Sequence, residues 1–208
     1  MVLIKICGIT NLEDARVAVA AGADALGFNF YRRSSRFIEP EKARAIIENF
    51  REDVLCVGVF VNEERPEDVE SIAIDVGIKA VQLHGDESIT YCRALRNFFV
   101  IKALRVHEDF MPECVSEYDV DAVLLDAFDK KARGGTGKRV DWNIARRVRD
   151  LVPKLFLAGG LSPENISEAI EQVEPYAVDA CSHLEISAGR KDHEKVRAFI
   201  AAARKAAG

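Results

Sequence analysis

The chain has 208 residues, 49% of them apolar, and its 29 Lys and Arg against 34 Asp and Glu leave a formal net charge of −5. That is enough chain for one sizeable core and too apolar for disorder, while the interspersed, slightly acidic charge excludes a dedicated nucleic-acid or membrane-surface binder. The five cysteines (Cys7, Cys56, Cys92, Cys114 and Cys181) are odd in number, irregularly spaced and without a CxxC pair, which argues against a disulfide framework or a zinc site.

In chain order, the start turns polar at Lys5, too soon for a signal peptide, and no apolar run reaches the roughly 18 residues of a membrane span. Reduced thiols and a cytoplasmic location are expected. Eight short, nearly continuous apolar runs follow: Leu3–Cys7, Ala25–Phe30, Leu55–Phe60, Ala80–His84, Phe99–Leu104, Ala122–Asp126, Leu155–Gly159 and Ala177–Cys181. Such runs suit parallel strands buried on both faces. Amphipathic helices fit between them. Thr10-x-x-Glu13 reads as a capping box for the first helix and Gly22 as its stop. Pro40 and Pro163 suit first helical turns, with Ser162 as a cap before Pro163, and the last helix runs from about Asp192 to Ala207. No linker or composition shift interrupts the pattern, so residues 1–208 read as one α/β domain. Eight β/α units favour a (β/α)8 TIM barrel over a doubly wound open sheet.

In such a barrel the chemistry sits at the C-terminal strand ends and the loops beyond them. On the first strand, Lys5 and Cys7 share a face, and a thiol beside a lysine can act as base or nucleophile, or simply as a small buried hydrophobe. Arg36, after the second strand, can grip a carboxylate through two parallel hydrogen bonds, whereas Arg32 and Arg33 read as surface. Gln82 and His84 end the fourth strand on one face, placed to bond a substrate or to serve the loop. Lys102 on the fifth either anchors an anion or pairs with Asp126 inside the barrel. Asp126 ends the sixth strand, as general acid or base or as a helix cap. Residues 133–138 after it, Arg-Gly-Gly-Thr-Gly-Lys, read as a loop that closes over substrate or as a loose connection. Gly159-Gly160 and Ser182-His183, after strands seven and eight, occupy the usual phosphate cradle of a barrel. Cys56, Cys92 and Cys114 read as packing residues. A small phosphorylated substrate is the expected partner.

These segments together resemble one family, the phosphoribosylanthranilate isomerases of tryptophan biosynthesis. The resemblance rests on Lys5-Ile6-Cys7-Gly8-Ile9-Thr10, Gly27-Phe28-Asn29-Phe30-Tyr31 with Ser35-Arg36-Phe37-Ile38, Val57–Asn62, Val81-Gln82-Leu83-His84-Gly85, Leu124-Leu125-Asp126, Gly134–Lys138, and Ala158-Gly159-Gly160-Leu161 with Pro163-Glu164-Asn165, all in family order. It implies a cofactor-free and metal-free TIM barrel. The implied reaction is an Amadori rearrangement of N-(5-phosphoribosyl)anthranilate to the carboxyphenylamino-deoxyribulose 5-phosphate. It further implies Cys7 as general base, Asp126 as general acid, Arg36 as partner of the anthranilate carboxylate, and backbone after strands seven and eight as the phosphate site. The expected assembly is a monomer or homodimer.

The chain departs from the family pattern after strand eight. Where the family usually reads Asp-Val-Ser-Ser-Gly-Val-Glu, this chain has Asp179-Ala180-Cys181-Ser182-His183-Leu184-Glu185. His183 replaces a glycine expected near the phosphate and is expected either to strain the turn or crowd the anion, or to add a cationic contact. Cys181 replaces a serine, and Arg32 and Ala188 stand where prolines are common. Two other readings stay open. One is the related sugar isomerisation of histidine biosynthesis, which favours a carboxylate on strand one and two phosphate cradles. The other is a barrel that binds a phosphorylated ligand without turning it over.

Overall fold

The structure, a computed structural model, describes residues 1–50, 52–107, 109–127 and 141–208. Its apolar runs form eight parallel strands: β1 (Leu3–Cys7), β2 (Ala25–Asn29), β3 (Leu55–Phe60), β4 (Ala80–Leu83), β5 (Phe99–Val106), β6 (Ala122–Ala127), β7 (Leu155–Leu157) and β8 (Ala177–Ala180). They hydrogen-bond in chain order, and β8 returns to pair with β1 in parallel, so the sheet closes on itself. Closure explains the lack of polar alternation: every strand has one face inside the barrel and one under the helices. Ala25, Val57, Ala80, Ile101, Ala103, Ala122, Leu124, Phe156 and Ala177 fill the inside. The alternate residues, among them Ile4, Ile6, Leu26, Phe28, Phe60, Val81, Leu125 and Val178, meet the helix shell. Each such fully buried Leu, Ile, Val or Phe stabilises the fold by about 1.5–3 kcal/mol.

The shell comprises α1 (Leu12–Ala21), α2 (Pro40–Ile47), α3 (Pro66–Val76), α4 (Ile89–Ala94), α5 (Trp142–Arg149), α6 (Ile166–Val173) and α7 (His193–Ala206). Pro40 opens α2 and Gly22 closes α1 in the left-handed conformation, as their positions suggested. Asp192 caps α7 by accepting from the backbone N–H groups of Glu194 and Lys195. Three expectations need correction. The N-cap of α1 is Asn11, whose side chain accepts from Asp14 N, whereas Thr10 Oγ1 donates to the carbonyl of Gly189. Pro163 lies in a turn ahead of α6, and Asn165 rather than Ser162 occupies the N-cap position. Between β5 and β6 the amphipathic helix gives way to a six-residue 3-10 turn, Pro112–Glu117, opened by a proline that has no backbone donor to offer. Among the described residues no helix is long and apolar enough to cross a membrane.

Strand β7 is two residues shorter than its apolar run because Gly159 turns to φ 82°, out of the extended region. Beyond β8 a small antiparallel hairpin, β9 (Glu185–Ser187) with β10 (Arg190–Lys191), lies over the barrel end. It is strapped to α1, since Lys191 N donates to buried Asp14, whose other carboxylate oxygen lies 2.8 Å from His193 Nε2.

Candidate active site

The interior faces of β1 and β8 carry Lys5, Cys7 and Asp179 up the barrel, because alternation sends every second residue inward. Lys5 is fully buried and donates to Asp179 Oδ1 at 2.9 Å, across the β1–β8 register pair. Burial alone would lower the Lys5 pKa, but the Asp179 carboxylate and the Cys7 sulfur together hold it above its ordinary value. Burial pushes Asp179 up to about 6, against the pull of Lys5. One step further along β1, Cys7 has the Cys181 thiol for a neighbour. That thiol, with the charges of Lys5 and Lys191, outweighs burial and holds Cys7 well below the ordinary thiol value. Cys181, which is half-buried and donates to Glu185 Oε1 at 3.8 Å, is pushed the other way by its neighbour Cys7 and by its partial removal from water. The two sulfurs are thus shifted in opposite directions, Cys7 toward the thiolate and Cys181 toward the thiol. Gly27, beside Cys7 on β2, leaves room for it: a Cβ there would stand 2.7 Å from the Cys7 sulfur.

Arg36 reaches this cluster from the loop after β2. Its Nε donates to Glu185 at 2.9 Å and its Nη2 at 2.7 Å, a two-point grip that leaves the Nη1 corner without a partner among the described residues. Glu185 also accepts from Lys191 Nζ at 3.0 Å and from Gly189 N. Burial raises Glu185, but Arg36 and Lys191 more than offset it and keep the carboxylate ionised. The sequence reading did not single out Asp179, Glu185 or Lys191. Asp179 had a visible signal, a carboxylate on the inward face of an apolar strand. Lys191 had none, since only the hairpin folds it back over the barrel, where its side chain is fully buried.

Across the barrel mouth, Gln82 Nε2 lies 2.8 Å from His84 Nδ1. If the Gln82 amide donates there, the ring proton sits on Nε2, which is 3.3 Å from Asp126 Oδ2. Asp126 is buried, and its other oxygen accepts from Ala127 N at 2.8 Å. Gln82 Oε1 and His84 Nε2 are buried without a hydrogen-bond partner among the described residues. Lys102 does not join this group. Its neighbours Ile101 and Ala103 point into the barrel, so Lys102 points out. There it donates to Glu87 at 2.6 Å and to the carbonyls of Leu83 and Gly85, bracing the loop that carries His84. The pairing of Lys102 with Asp126 is therefore wrong, for reasons of strand parity.

After β7, Gly159 and Gly160 both have positive φ, and Asn165 holds the turn by donating to Gly160 O. After β8, Ser182–Leu184 forms a 3-10 turn, whose leading N–H groups have no acceptor within it. His183 is exposed and its φ is not positive, so the turn it occupies needs no glycine and carries no backbone strain. The strain anticipated for this substitution is absent. Residues 133–138 lie outside the described residues.

The family model for N-(5'-phosphoribosyl)anthranilate (PRA) isomerase matches residues 4–202 of this chain. The chain belongs to that family. It is similar to the N-(5'-phosphoribosyl)anthranilate isomerase of Thermotoga neapolitana, 50% identical over 201 residues, covering 96% of this chain and 97% of the relative. It also superimposes on the crystal structure of the Thermotoga maritima phosphoribosyl anthranilate isomerase with a TM-score of 0.90 at 45% identity, covering 99% of this chain and 100% of that one. A further family structure, in complex with reduced 1-(o-carboxyphenylamino)-1-deoxyribulose 5-phosphate, matches with a TM-score of 0.86 at 44% identity over 99% of this chain and 100% of its own. Membership makes the chain an isomerase on the TIM-barrel scaffold.

Proposed function

We propose that this isomerase converts N-(5'-phosphoribosyl)anthranilate to 1-(2-carboxyphenylamino)-1-deoxyribulose 5-phosphate, with Cys7 as general base and Asp126 as general acid. The observation that carries the reading is the sulfur of Cys7. It is held as a thiolate by the Cys181 thiol and two lysines at the end of β1, with β7 and β8 lying between it and Asp126 on β6. A base and an acid on different sides of one cavity are what the rearrangement requires.

Asp126, protonated when it acts, gives its proton to the ring oxygen of the ribose. The C1–O bond breaks as the anthranilate nitrogen lone pair forms the Schiff base. Cys7 then removes the proton from C2, and the electrons of that bond neutralise the iminium as an enolamine, which tautomerises to the ketone. Each well-placed proton transfer contributes about 10²–10⁴-fold in rate. The Nη1 corner of Arg36, without a partner among the described residues, suits the anthranilate carboxylate. The backbone N–H groups of Gly159, Gly160, Ser182 and His183 suit the phosphate, with the imidazole of His183 at its edge. Gln82 and His84 orient Asp126, and Lys5 acts from beneath Cys7 through its charge.

The test is steady-state turnover of phosphoribosylanthranilate, generated in situ, by the wild type and by Cys7→Ser and Asp126→Asn. Each substitution is expected to lower kcat by about 10²–10⁴-fold while the folded spectrum is retained. A wild-type barrel that is folded but does not turn over this substrate sinks the proposal. A variant that keeps full kcat removes the role assigned to that residue.

A further inference from the structure

We propose that Cys7 and Cys181 form a redox-sensitive thiol pair that a peroxide converts reversibly to a disulfide, taking the Cys7 sulfur out of service. The pairing follows from the register of β1 on β8. Lys5 stands opposite Asp179 and Ile6 opposite Ala180, so the next residues along the two chains are Cys7 and Cys181. Lys5 and Asp179 meet inside the barrel, and alternation returns Cys7 and Cys181 to the same side. Neighbouring strands run about 4.8 Å apart, inside the roughly 4.4–6.8 Å that a disulfide spans between Cα atoms. Each thiol perturbs the titration of the other, as neighbouring groups do. Just beyond them both chains leave extended geometry, at Gly8 with φ 77° and at Cys181 with ψ −86°, which gives the linkage room to adjust.

The chemistry is asymmetric in a useful way. Cys7 is the ready nucleophile and Cys181 the neutral neighbour, an arrangement of attacking and resolving sulfur. The Cys7 thiolate attacks one oxygen of hydrogen peroxide. An S–O bond forms, the O–O bond breaks, and the departing hydroxide becomes water with the proton that Cys7 released on ionising. Cys181 then loses its proton and its sulfur attacks the sulfenic sulfur of Cys7. The S–S bond forms as the S–O bond breaks, and the departing oxygen leaves as water. Two thiols lose two electrons and one peroxide becomes two waters. Lys191 Nζ, 3.8 Å from the Cys181 sulfur, favours the deprotonation that the second step needs. Cys92 and Cys114 lack this setting: burial pushes Cys92 up to about 11 and raises Cys114 as well. A serine at position 181 would have no sulfur to resolve the sulfenic acid, so the device depends on Cys181.

The loss of activity rests on the catalytic reading of Cys7; formation of the disulfide does not. The experiment treats the whole protein with hydrogen peroxide, alkylates the remaining thiols, and follows peptide masses alongside turnover. The expected result is a Cys7–Cys181 cross-linked peptide lighter by two hydrogens. Turnover should fall in proportion to the cross-linked fraction, and dithiothreitol should restore both. In Cys181→Ser, measured against its own untreated rate, the loss should persist after dithiothreitol as Cys7 passes to sulfinic acid. Oxidation of wild-type Cys7 to sulfinic acid with no cross-link overturns the pair. A cross-link that leaves turnover intact keeps the pair, but overturns its control of activity and the catalytic role of Cys7 with it.

Discussion

Cys7 is the residue on which most of the chemistry turns, and its surroundings decide its charge. An ordinary thiol titrates near 9.0, and the Cys181 thiol and the two lysines bring Cys7 well below that. A base works only when deprotonated, so activity is lost as pH falls through the Cys7 value. The acid-side limb of kcat/KM is therefore expected below the ordinary thiol range, and Lys5→Met should move it upward by removing a positive charge. A limb that stays in place in Lys5→Met would dissociate the lysine from the sulfur. Glu185 governs Arg36 in the same indirect way. Its folded value is depressed, so its ion pairs are complete above the ordinary carboxylate value and are lost only as pH falls through the folded one. Glu185→Gln removes a charge-assisted grip on Arg36 worth about 1.5–3 kcal/mol. KM is expected to rise about tenfold or more, with kcat little changed, because carboxylate binding is common to ground and transition states. An equal fall in kcat would instead tie Glu185 to the chemical step.

The elements differ in how openly they declare themselves. The eight strands are legible because burial on both faces demands unbroken apolar runs, and each run lies within two residues of the observed strand. Helix starts are less legible, since several polar residues compete for one cap. At α1, Thr10 and Asn11 both qualify, and the choice falls to Asn11 because Thr10 is drawn off to the carbonyl of Gly189, 179 residues away. Asn11→Ala is accordingly expected to cost about 0.5–2 kcal/mol in urea unfolding. Thr10→Val should leave α1 intact and loosen the hairpin instead, seen as faster amide exchange at residues 189–191. Equal helix loss in both variants would speak against this division of roles. The short 3-10 turn between β5 and β6 marks the one place where the helix pattern yields to a proline and a brief connection.

For the molecule as a whole, the barrel closes at the β1–β8 seam, where the first and last strands meet. The Lys5–Asp179 pair crosses that seam in the fully buried interior. The C-terminal helix ties down the same junction, with Arg204 donating to Val2 O, Gly22 O and Asp24. Removing one buried partner strands the other charge, so Asp179→Leu is expected to cost about 3–5 kcal/mol. The double variant Lys5→Met with Asp179→Leu should recover much of that loss, because desolvated ions are replaced by packed apolar groups. Unfolding titrations of the two proteins decide it, and a double variant no more stable than the single one would show that the pair does not act as a unit.

By itself the sequence determined the class of the molecule: eight apolar runs, the glycines of the β7 turn and the chemical residues at the strand ends are local signals, readable wherever they stand. Cys7, Asp126, Gln82 and His84 were visible as strand-end residues on inward faces, because parity needs only a strand and a count. What only the tertiary structure decided was partnership. Lys102 turned outward to Glu87, Arg36 met Glu185, Lys191 folded back through the hairpin, and Cys181 came beside Cys7 across the seam. Each of those contacts joins residues that are distant in sequence or lie on different elements. Their energy depends on barrel closure and on the burial it imposes, and no local pattern of residue types records either.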